Sequence, residues 1–394
     1  MSNREVVVVS GTRTAIGDYG GALKDLAATR LGAVAIKEAV ARAKVDPASV
    51  GHVVMGSVIH GEARDMYLAR VAAVDAGLPV GTPCLTVNRL CGSGLQAIVS
   101  AAQHLLLGDC DVAVAGGAES MSRAAYFLPS GRWGQRMGDA AVVDAMTGAL
   151  HDPFGHGHMG VTAENIAAKY GFTREQQDQF SIESHRKAAN AIEKGYFKDQ
   201  VVATEIRSKK GVEHFAIDEH VRKDASMADL AKLKTVFKKD GTVTAGNASG
   251  INDAGAALVL AEARTAKKMN LKILARLVAY AHAGVEPQVM GLGPIPAVKR
   301  AFEKAGLKPA DMDVVESNEA FAVQAMAVTQ DLGLDPAKVN PNGGAVALGH
   351  PIGATGAILT VKALYELERT NKRYALVTMC IGGGQGIAAI FERI

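Results

Sequence analysis

The stretch that decides the fold is TVNRLCGSGLQAIVSAAQHL, residues 86–105. It starts with a short run of the kind that forms a strand, and it continues into a long apolar pattern of helical period. Between the two lie Cys91, Gly92 and Gly94, and glycine allows sharp turns and the close approach of other backbone segments. The stretch predicts a strand, a tight turn and a core helix, with one thiol at the turn.

Short β-branched runs alternate with helical patterns through the first 120 residues. The predicted strands are residues 5–11, 52–59, 83–88 and 111–117, and the predicted helices are residues 28–43, residues 64–77 and the helix that follows Cys91. This alternation predicts an α/β fold with a largely buried sheet.

The same order recurs in the last third of the chain. The predicted strands there are residues 272–281, 313–318 and 373–380, and the predicted helices are residues 296–306, 320–333 and 354–368. In addition, KVNPNGG at residues 338–344 echoes TVNRLCG at residues 86–92, since both segments end a strand before a helix. The chain is predicted to contain two similar halves.

Residues 120–245 interrupt the alternation. This segment holds more than half of the aromatic residues, including Trp133, together with polar helical patterns. It is too apolar for a disordered linker, so it predicts an inserted lobe between the halves.

Composition excludes several classes of protein. Lys and Arg number 43 against 40 Asp and Glu, for a net charge of +3, and without a long block of like charges the basic surface of a nucleic-acid binder is missing. The apolar run near the start is too short for a signal peptide, so we expect a cytoplasmic protein with no membrane-spanning segment. The four cysteines are widely spaced, which favours free thiols over disulfides or a zinc site.

Cys91 is a candidate nucleophile. A thiol reacts as its thiolate, and the free N–H groups at a helix N-terminus lower the pKa of a cysteine placed there. If the halves pack about a pseudo-twofold axis, GHPIGATGA at residues 349–357 begins the helix that corresponds to the one after Cys91. His350 would then face Cys91 and take its proton. From the residues alone, the alternative is a small buried cysteine and a structural histidine.

Cys380 is the second candidate thiol. It ends an apolar strand and is followed by Gly382, Gly383 and Gly384. Two cysteines in glycine-rich turns suit a reaction that needs one nucleophile and one proton-transfer group, and glycine N–H groups suit an oxyanion hole for a thioester. A core thiol at the end of a strand is the alternative for Cys380.

A second interpretation of residues 92–97 competes with this one. GSGLQA matches G-x-G-x-x-A between a strand and a helix, and Asp109 or Asp111 follows at a distance suited to a ribose. That pattern would indicate a dinucleotide site. Such a motif normally follows the first strand of its domain, whereas several strands precede it here, and it leaves His350 and Cys380 without a role.

Seven motifs along the whole chain resemble those of the thiolases. They are VNRLCGSGLQAI (87–98), GGAESMS (116–122), HMGVTAEN (158–165), GTVTAGNASGIND (241–253), SNEAFA (317–322), NGGAVALGHPIGATGA (342–357) and CIGGGQG (380–386). The resemblance implies an α/β thiolase fold with two similar βαβαβαββ-type halves in a five-layer α-β-α-β-α core. It also implies an inserted loop domain that binds coenzyme A, and assembly as a homodimer or homotetramer.

These expectations divide the chain into three parts. We assign residues 1–120 plus 245–270 to the N-terminal half, residues 121–244 to the loop domain and residues 271–394 to the C-terminal half. One departure from the family pattern lies in residues 252–256, where NDAGA replaces the usual N-D-G-A order. The change affects the expected acyl-CoA path and leaves the expected catalytic residues in place.

The resemblance implies a role for each catalytic motif. Cys91 would be the nucleophile that carries the acyl group, His350 the base that activates it, and Cys380 the acid/base at the α-carbon of the acetyl unit. Asn318 would hold a water that forms one oxyanion site with His350, and the backbone N–H groups of Cys91 and Gly382 would form the other. The residues implied along the pantetheine and adenine path of coenzyme A are His158, Met159, Arg222, Phe237, Ala248, Ser249, Ala320 and Phe321.

The expected activity is that of an acetyl-CoA C-acetyltransferase, or β-ketothiolase, which reversibly condenses two acetyl-CoA into acetoacetyl-CoA and CoA. Acyl-CoA and CoA are the expected partners, and we expect no metal or redox cofactor. The alternative is a 3-ketoacyl-CoA thiolase for longer or branched chains. A thiolase-like scaffold without catalysis is disfavoured because both cysteines and His350 are present, and decarboxylating condensing enzymes of the same fold lack a counterpart of Cys380.

Overall fold

The computed structural model describes residues 4–209 and 211–394, so residues 1–3 and residue 210 of the predicted domains lie outside the described residues. Its strands are β1 (Val6–Thr14), β2 (Gly17–Asp18), β3 (His52–Gly56), β4 (Cys84–Val87), β5 (Val112–Ser120), β6 (Tyr126–Phe127), β7 (Val143–Asp144), β8 (Val201–Val202), β9 (Thr204–Ser208), β10 (Gly211–Phe215), β11 (Asn252–Glu262), β12 (Ala275–Gly284), β13 (Val314–Ser317), β14 (Tyr374–Ile381) and β15 (Gln385–Glu392). Its α-helices are α1 (Ala28–Ala43), α2 (Leu68–Asp75), α3 (Ser93–Leu107), α4 (Ala145–Ala149), α5 (Met159–Tyr170), α6 (Arg174–Glu193), α7 (Met227–Leu230), α8 (Ala263–Lys268), α9 (Pro294–Ala305), α10 (Ala322–Asp331), α11 (Ala345–Leu348) and α12 (Thr355–Thr370).

The large sheet consists of two half-sheets with matching strand order and direction. The first runs β4-β3-β5-β11-β1 and the second runs β13-β14-β15-β12, with Val339 bridging Val315 where the first half has β4. In each half, β3 or β13 pairs in parallel with its neighbours. The other strands of each half, which are β5, β11 and β1 in the first and β14, β15 and β12 in the second, pair antiparallel. The half-sheets join edge to edge through a short antiparallel pairing of β1 with β12. The predicted duplication is confirmed.

Three apolar clusters show that helices cover both half-sheets on both sides. One outer cluster packs α1 and α2 against the first half-sheet, and it includes Leu31 of α1, Leu68 of α2 and Met55 of β3. The other packs α9 and α10 against the second half-sheet. Between them, the largest cluster joins α3 and α12 to the inner faces of both half-sheets. The layers are therefore α-β-α-β-α, as the resemblance to the thiolases implies, because each helix buries its apolar stripe on a sheet face.

The central position of α3 explains its composition. By length and hydropathy alone, Leu90–Leu107 is long and apolar enough to cross a membrane, contrary to the sequence-based expectation. More than half of this segment is buried inside the protein. A helix that is apolar on most of its surface is typical of a position surrounded by other elements, and here those elements are the two half-sheets and α12.

Glycines allow the first turns of α3 and α12 to cross in direct backbone contact. A Cβ atom at Gly94 would lie 2.7 Å from the backbone nitrogen of Ala357, and a Cβ atom at Gly356 would lie 2.2 Å from the backbone nitrogen of Leu95. No side chain fits at these distances. The crossing therefore holds the two helix starts side by side, together with the turns that precede them.

The segment between β5 and β11 carries the helices α4 to α7. It also contains two small hairpins, β6 with β7 and β9 with β10, and the short β8 pairs in parallel with β1. Helices α5 and α6 contact α10 and α11 of the second half. These elements lie within the segment that the sequence interprets as an inserted lobe.

Three local features differ from the predicted elements. The helix predicted for residues 64–77 is divided into a 3-10 turn, Ala63–Tyr67, followed by α2, because the Asp65 carboxylate accepts the N–H groups of Gly61 and Glu62 and tightens the chain there. Residues 338–344 form a single bridge in place of a strand. The final strand, β15, lies beyond the last predicted strand.

Substitution of Gly356 by alanine tests the helix crossing. The added methyl group would overlap the backbone of α3, so we expect Gly356→Ala to lower the free energy of unfolding by about 1–3 kcal/mol, as measured by urea unfolding followed by circular dichroism. Gly81→Ala is the matched control, because a Cβ atom at Gly81 meets nothing within 4 Å. Equal unfolding midpoints for the two variants would contradict the crossing.

Candidate active site

A cavity of about 1130 Å³ brings together most of the residues that the sequence singles out. Its lining includes Cys91, His158, Met159, Arg222, Phe237, Ala248, Ser249, Ala320, Phe321, His350 and Gly382. The other two predicted site residues, Asn318 and Cys380, are buried beside the cavity. The Nδ2 atom of Asn318 lies 3.4 Å from Nε2 of His350, and Cys380 is close enough to Cys91 for the charge of a Cys91 thiolate to raise the pKa of Cys380. The fold therefore gathers every predicted site residue, while their catalytic roles stay predictions.

A strained turn immediately precedes Cys91. Leu90 has a φ of 44°, in the left-handed region that residues with a side chain seldom adopt. The Asn88 side chain accepts the N–H of Leu90 at 2.9 Å, and the Ser93 hydroxyl donates to the Leu90 carbonyl at 2.7 Å. Such a conformation costs about 1–3 kcal/mol and persists where surrounding bonds enforce it. Here the enforced turn lies at the cavity wall.

The Cys91 thiol is protonated at neutral pH. Burial, with a smaller contribution from the carboxyl group of Glu119, raises the pKa of Cys91 to about 11, although the N–H groups of Gly382 and Cys91 donate to the sulfur and act in the opposite direction. The predicted lowering of this pKa by a helix N-terminus is wrong. Cys91 precedes the first helical residue, Ser93, and the loss of water outweighs the nearby backbone N–H groups. The thiol therefore needs a base.

His350 is held at its backbone and at both ends of its ring. Its N–H donates to Oδ1 of Asn252 at 3.0 Å, its Nδ1 lies 2.7 Å from the hydroxyl of Thr355, and its Nε2 faces the amide of Asn318. Burial lowers the pKa of His350 to about 4. The ring is consequently neutral at pH 7 and has one nitrogen without a proton, as a base requires.

Asn318 is completely buried at the end of β13. Its N–H donates to the carbonyl of Thr378 on β14 at 3.0 Å, which fixes the backbone. Among the described residues, its side-chain Oδ1 has no hydrogen-bonding partner. An amide with a free oxygen beside an imidazole suits the predicted role in holding a water.

Cys380 is fully buried near the end of β14. Burial is the main cause that raises the pKa of its thiol, and the nearby Cys91 thiol contributes in the same direction. The next turn contains Gly383 and Gly384 with φ of 80° and 88°, a backbone shape that favours glycine. The turn presents the N–H of Gly382 to the Cys91 sulfur, so the predicted oxyanion donor lies beside the predicted nucleophile.

Glu119 is a site residue that the sequence analysis does not identify. It is fully buried on β5, and its carboxyl oxygens accept the N–H groups of Val58 and Ile59 at 3.1 Å each and of Gly353 at 2.8 Å. Because Gly353 lies between His350 and α12, this carboxyl group ties β5 to the turn that carries His350. Burial raises the pKa of Glu119 to about 8.

The sequence analysis also does not identify Asn252 and Thr355 as site residues, although they and Glu119 all lie inside the thiolase motifs quoted above. Asn252 accepts the N–H of His350 and donates to the carbonyl of Gly17 at 3.0 Å. Its side chain fills the space beside Gly349, where a Cβ atom would lie 2.3 Å from Oδ1 of Asn252. The only signal in the sequence is membership of the motifs, since these contacts join segments far apart in the chain.

Aromatic and apolar side chains form the wall between the thiol and the cavity mouth. The His158 ring stacks on Phe237 with centroids 4.6 Å apart, and Phe237 meets Phe321 edge to face at 6.2 Å. Burial lowers the pKa of His158 to about 4, and its Nδ1 accepts the N–H of Gly160 at the start of α5. Met159 is buried against the position of Gly382. The wall is largely uncharged, as suits a pantetheine chain.

Residues 248–249 and 320–321 form a short paired segment along the same cavity. Ala248 and Phe321 form an antiparallel bridge, and the N–H of Ser249 donates to the carbonyl of Ala320 at 3.0 Å. At the mouth, the exposed Arg222 is anchored through its N–H, which donates to His185 at 3.1 Å. The cavity is thus largely apolar along this segment, and the exposed charged residues of its lining include Arg222, Lys223, Asp224 and Asp229.

The structure contradicts the dinucleotide interpretation of residues 92–97. Gly94 is used for contact with α12, and a Cβ atom at Gly92 would lie 2.6 Å from the side chain of Ile381. Asp109 and Asp111 lie beyond the opposite end of α3, where they pair with His104 and Arg4. The glycines are therefore required for packing, and neither Asp109 nor Asp111 lies beside them.

The arrangement has the groups needed for acyl transfer through a thioester. A neutral imidazole and a protonated thiol line one cavity, a second thiol is buried beside the first, and backbone N–H groups face the sulfur. This set can move a proton, form a covalent bond and stabilise an oxyanion. Within the described ranges, no cluster of three or more His, Cys, Asp and Glu side chains is arranged to hold a metal ion.

Comparison with known families gives matches over nearly the whole chain. Residues 6–264 match the model of the thiolase N-terminal domain, and residues 271–393 match that of the thiolase C-terminal domain. The two matches together include Cys91 in the first and His350 and Cys380 in the second.

Relatives and solved structures agree with these matches. The chain is 66% identical to the β-ketothiolase BktB of Cupriavidus necator, over 99% of this chain and 100% of the relative, and 48% identical to the acetyl-CoA acetyltransferase of Allochromatium vinosum, over 100% of both. A crystal structure of human mitochondrial 3-ketoacyl-CoA thiolase in complex with CoA has a TM-score of 0.96 and 44% identity, with 99% of this chain and 98% of that chain covered. The chain belongs to the thiolase family.

Proposed function

We propose that this thiolase is an acetyl-CoA C-acetyltransferase, a β-ketothiolase that interconverts two acetyl-CoA with acetoacetyl-CoA and CoA. The observation that carries the proposal is the presence of the Cys91 thiol and the neutral imidazole of His350 in one cavity, with the Cys380 thiol buried beside them. The 66% identity to a β-ketothiolase and the 48% identity to an acetyl-CoA acetyltransferase support the acetyl unit over longer or branched chains.

The first half of thiolysis forms an acetyl-enzyme. His350 takes the proton of Cys91, and the sulfur attacks the 3-keto carbon of acetoacetyl-CoA. The bond between carbons 2 and 3 breaks, and its electron pair remains on carbon 2 as the enolate of acetyl-CoA. Cys380 gives its proton to that carbon. Because burial raises the pKa of Cys380, the thiol keeps its proton until the strongly basic enolate forms.

The second half transfers the acetyl group to CoA. The CoA thiol gives its proton to the Cys380 thiolate, and the CoA sulfur attacks the thioester on Cys91. The Cys91 sulfur leaves and recovers its proton from the His350 imidazolium, which restores all three groups. Reversal of these steps condenses two acetyl-CoA, and no other cofactor is required for the balance of atoms.

Two sites stabilise the negative oxygen of the intermediates. The N–H groups of Cys91 and Gly382 suit the oxygen of the acetyl-enzyme, since both already donate to the sulfur. A water on Asn318, together with His350, suits the oxygen of the enolate. One well-placed donor of this kind contributes about 3 kcal/mol to the transition state.

The path for CoA follows the uncharged wall of the cavity. The pantetheine chain would pass Met159 and the paired residues 248–249 and 320–321, and the nucleotide would reach Phe237 and the Arg222 cation at the mouth. The solved complex of the human relative with CoA supports a site for this ligand.

The protein also carries surfaces suited to self-association in the cytoplasm. The segment around β6 and β7 exposes large apolar side chains, with Trp133 and Met137 exposed by 90% and 86%, and within the described part of the chain β4 is an edge strand of the first half-sheet. Exposed apolar patches and open sheet edges are typical of contacts between subunits. These surfaces favour the homotetramer over a monomer.

Alanine at position 91 tests the nucleophile. Without the sulfur no thioester can form, so we expect Cys91→Ala to show no acetyl adduct by intact-mass analysis after incubation with acetoacetyl-CoA, and to lose thiolysis by roughly 10³-fold or more. Cys110→Ala is the matched control, because burial also raises the pKa of that thiol to about 11 and it lies beyond the other end of α3. An adduct that persists in Cys91→Ala would refute the assignment.

Alanine at position 380 separates the two chemical steps. We expect Cys380→Ala to exchange labelled CoA into acetyl-CoA, since in that exchange no carbon-bound proton moves and the proton that His350 takes from Cys91 can pass directly to the leaving CoA sulfur. Condensation and thiolysis should fall by about 10²- to 10⁴-fold, because the carbon-bound proton has no donor or acceptor. Equal losses of exchange and condensation, or near-normal condensation, would remove the proposed role.

The acid limb of the pH–rate profile tests the neutral imidazole. His350 accepts a proton only when neutral, and burial lowers its pKa to about 4, so its contribution is complete above that pH and is lost as the pH falls through about 4. Glu119, with a pKa raised to about 8, stays protonated below pH 7, and burial raises the pKa of Cys91 and of Cys380 above that range as well. We expect kcat/KM for acetyl transfer from acetyl-CoA, measured by labelled-CoA exchange, to show no loss centred at pH 6.5. A limb centred there would contradict the buried, neutral base.

A further inference from the structure

Thr355 lies against the side of His350 that is remote from Asn318. It is the first residue of α12 and is buried, and its hydroxyl oxygen lies 2.7 Å from Nδ1 of His350. The same hydroxyl lies 2.9 Å from the carbonyl of Pro351, one turn back, and is placed to donate to it. One oxygen therefore contacts both the imidazole ring and the backbone of the turn that carries it.

Counting protons assigns the direction of these bonds. A threonine hydroxyl has one proton and two lone pairs. When that proton goes to Pro351, as is common for threonine in a helix, only lone pairs face His350. Nδ1 must then carry a proton and donate it to Thr355.

The opposite side of the ring supports the same assignment. The Nδ2 atom of Asn318 is a donor and lies 3.4 Å from Nε2 of His350, so a lone pair on Nε2 suits this neighbour. Because the ring is neutral, it carries a single proton. That proton is on Nδ1, and Nε2 is free.

We propose that Thr355 is a positioning residue that holds His350 in the tautomer with its proton on Nδ1, so that Nε2 is always the nitrogen that accepts the proton of Cys91. The inference rests on the proposed function, in which His350 is the base. The proton moves from the Cys91 sulfur to Nε2, and the bond from Nδ1 to Thr355 is kept in both charge states. The other tautomer would present an N–H to the thiol and could not act.

The contact that fixes the backbone of His350 does not fix its ring, so a hydroxyl at position 355 is needed to hold the ring. Asn252 holds the His350 N–H, so the ring retains freedom only about its side-chain bonds. A methyl group in place of the hydroxyl would leave either ring nitrogen free to carry the proton. The ring would then divide between two tautomers and lose a partner for the imidazolium.

Three variants of α12 test the proposal. Thr355→Val removes the acceptor and keeps the shape, whereas Thr355→Ser restores a hydroxyl. Thr360→Val is the matched control, because Thr360 is also fully buried in α12 and donates to the carbonyl of Gly356 at 2.8 Å, but it does not line the cavity. A general loss of helix stability would appear in both valine variants.

The first readout is the rate of acetyl-enzyme formation from acetoacetyl-CoA in a single turnover. We expect Thr355→Val to lower this rate by roughly 10- to 100-fold, the range for a hydrogen bond to a charged group, with little change in the half-saturating substrate concentration. Thr355→Ser should recover most of the loss, and Thr360→Val should react at the unaltered rate. Equal rates for Thr355→Val and the unaltered protein, or equal losses in both valine variants, would overturn the proposal.

The second readout is the tautomer itself. Long-range proton–nitrogen correlation of protein labelled with ¹⁵N-histidine reports which ring nitrogen carries the proton, and the His350 signals are identified by their loss in His350→Asn. We expect a proton on Nδ1 in the unaltered protein, Thr355→Ser and Thr360→Val, and a change in Thr355→Val. An unchanged tautomer in Thr355→Val would overturn the proposal, whatever its rate.

His350→Asn also separates this inference from the proposed function. If His350→Asn forms acetyl-enzyme at the unaltered rate, His350 is not the base and the inference fails with that role, whereas the proposed function itself fails only if the unaltered protein forms no acetyl-enzyme from acetoacetyl-CoA. If His350→Asn is inactive while Thr355→Val has the unaltered rate and tautomer, only the role of Thr355 fails.

Discussion

The close contact between the first turns of α3 and α12 is the constraint on which the site depends. Gly94 and Gly356 remove the side chains that would separate the two backbones, and the central apolar cluster presses the helices together. Cys91 lies two residues before one helix, and His350 lies in the turn before the other. Their meeting is therefore a result of backbone packing, and no direct bond between the two side chains is needed to bring them together.

Burial in this packed core leaves the site composed of uncharged groups. Loss of water raises the pKa of Cys91 and of Glu119 and lowers that of His350, so each is shifted towards its neutral form. A neutral thiol is a weak nucleophile, and the neighbouring base compensates because it is neutral too. Hydrogen bonds from Gly382 and around His350 orient the reacting groups although the site has no fixed charge. This suits a reaction whose negative charge appears only transiently.

The sequence predicts the fold well where periodicity is local. The apolar positions of residues 28–43 recur at helical spacing and predict a helix, and α1 has those bounds. The direction of the Cys91 pKa shift could not be predicted, since burial depends on segments far away in the chain. The roles of Glu119, Asn252 and Thr355 could not be predicted either, because their hydrogen-bonding partners are known only once the chain is folded. The strained turn at Leu90 has no sequence signal either, because leucine has no preference for a positive φ.

The matching of the two half-sheets has a consequence for biosynthesis. The reactive thiol comes from the N-terminal half and the imidazole from the C-terminal half, and β1 finds its partners, β11 and β12, only after more than half of the chain has left the ribosome. Contacts of such long range form late in folding. A nascent or partly folded chain thus contains the cysteine without its base, and chemical competence appears only when both halves have docked.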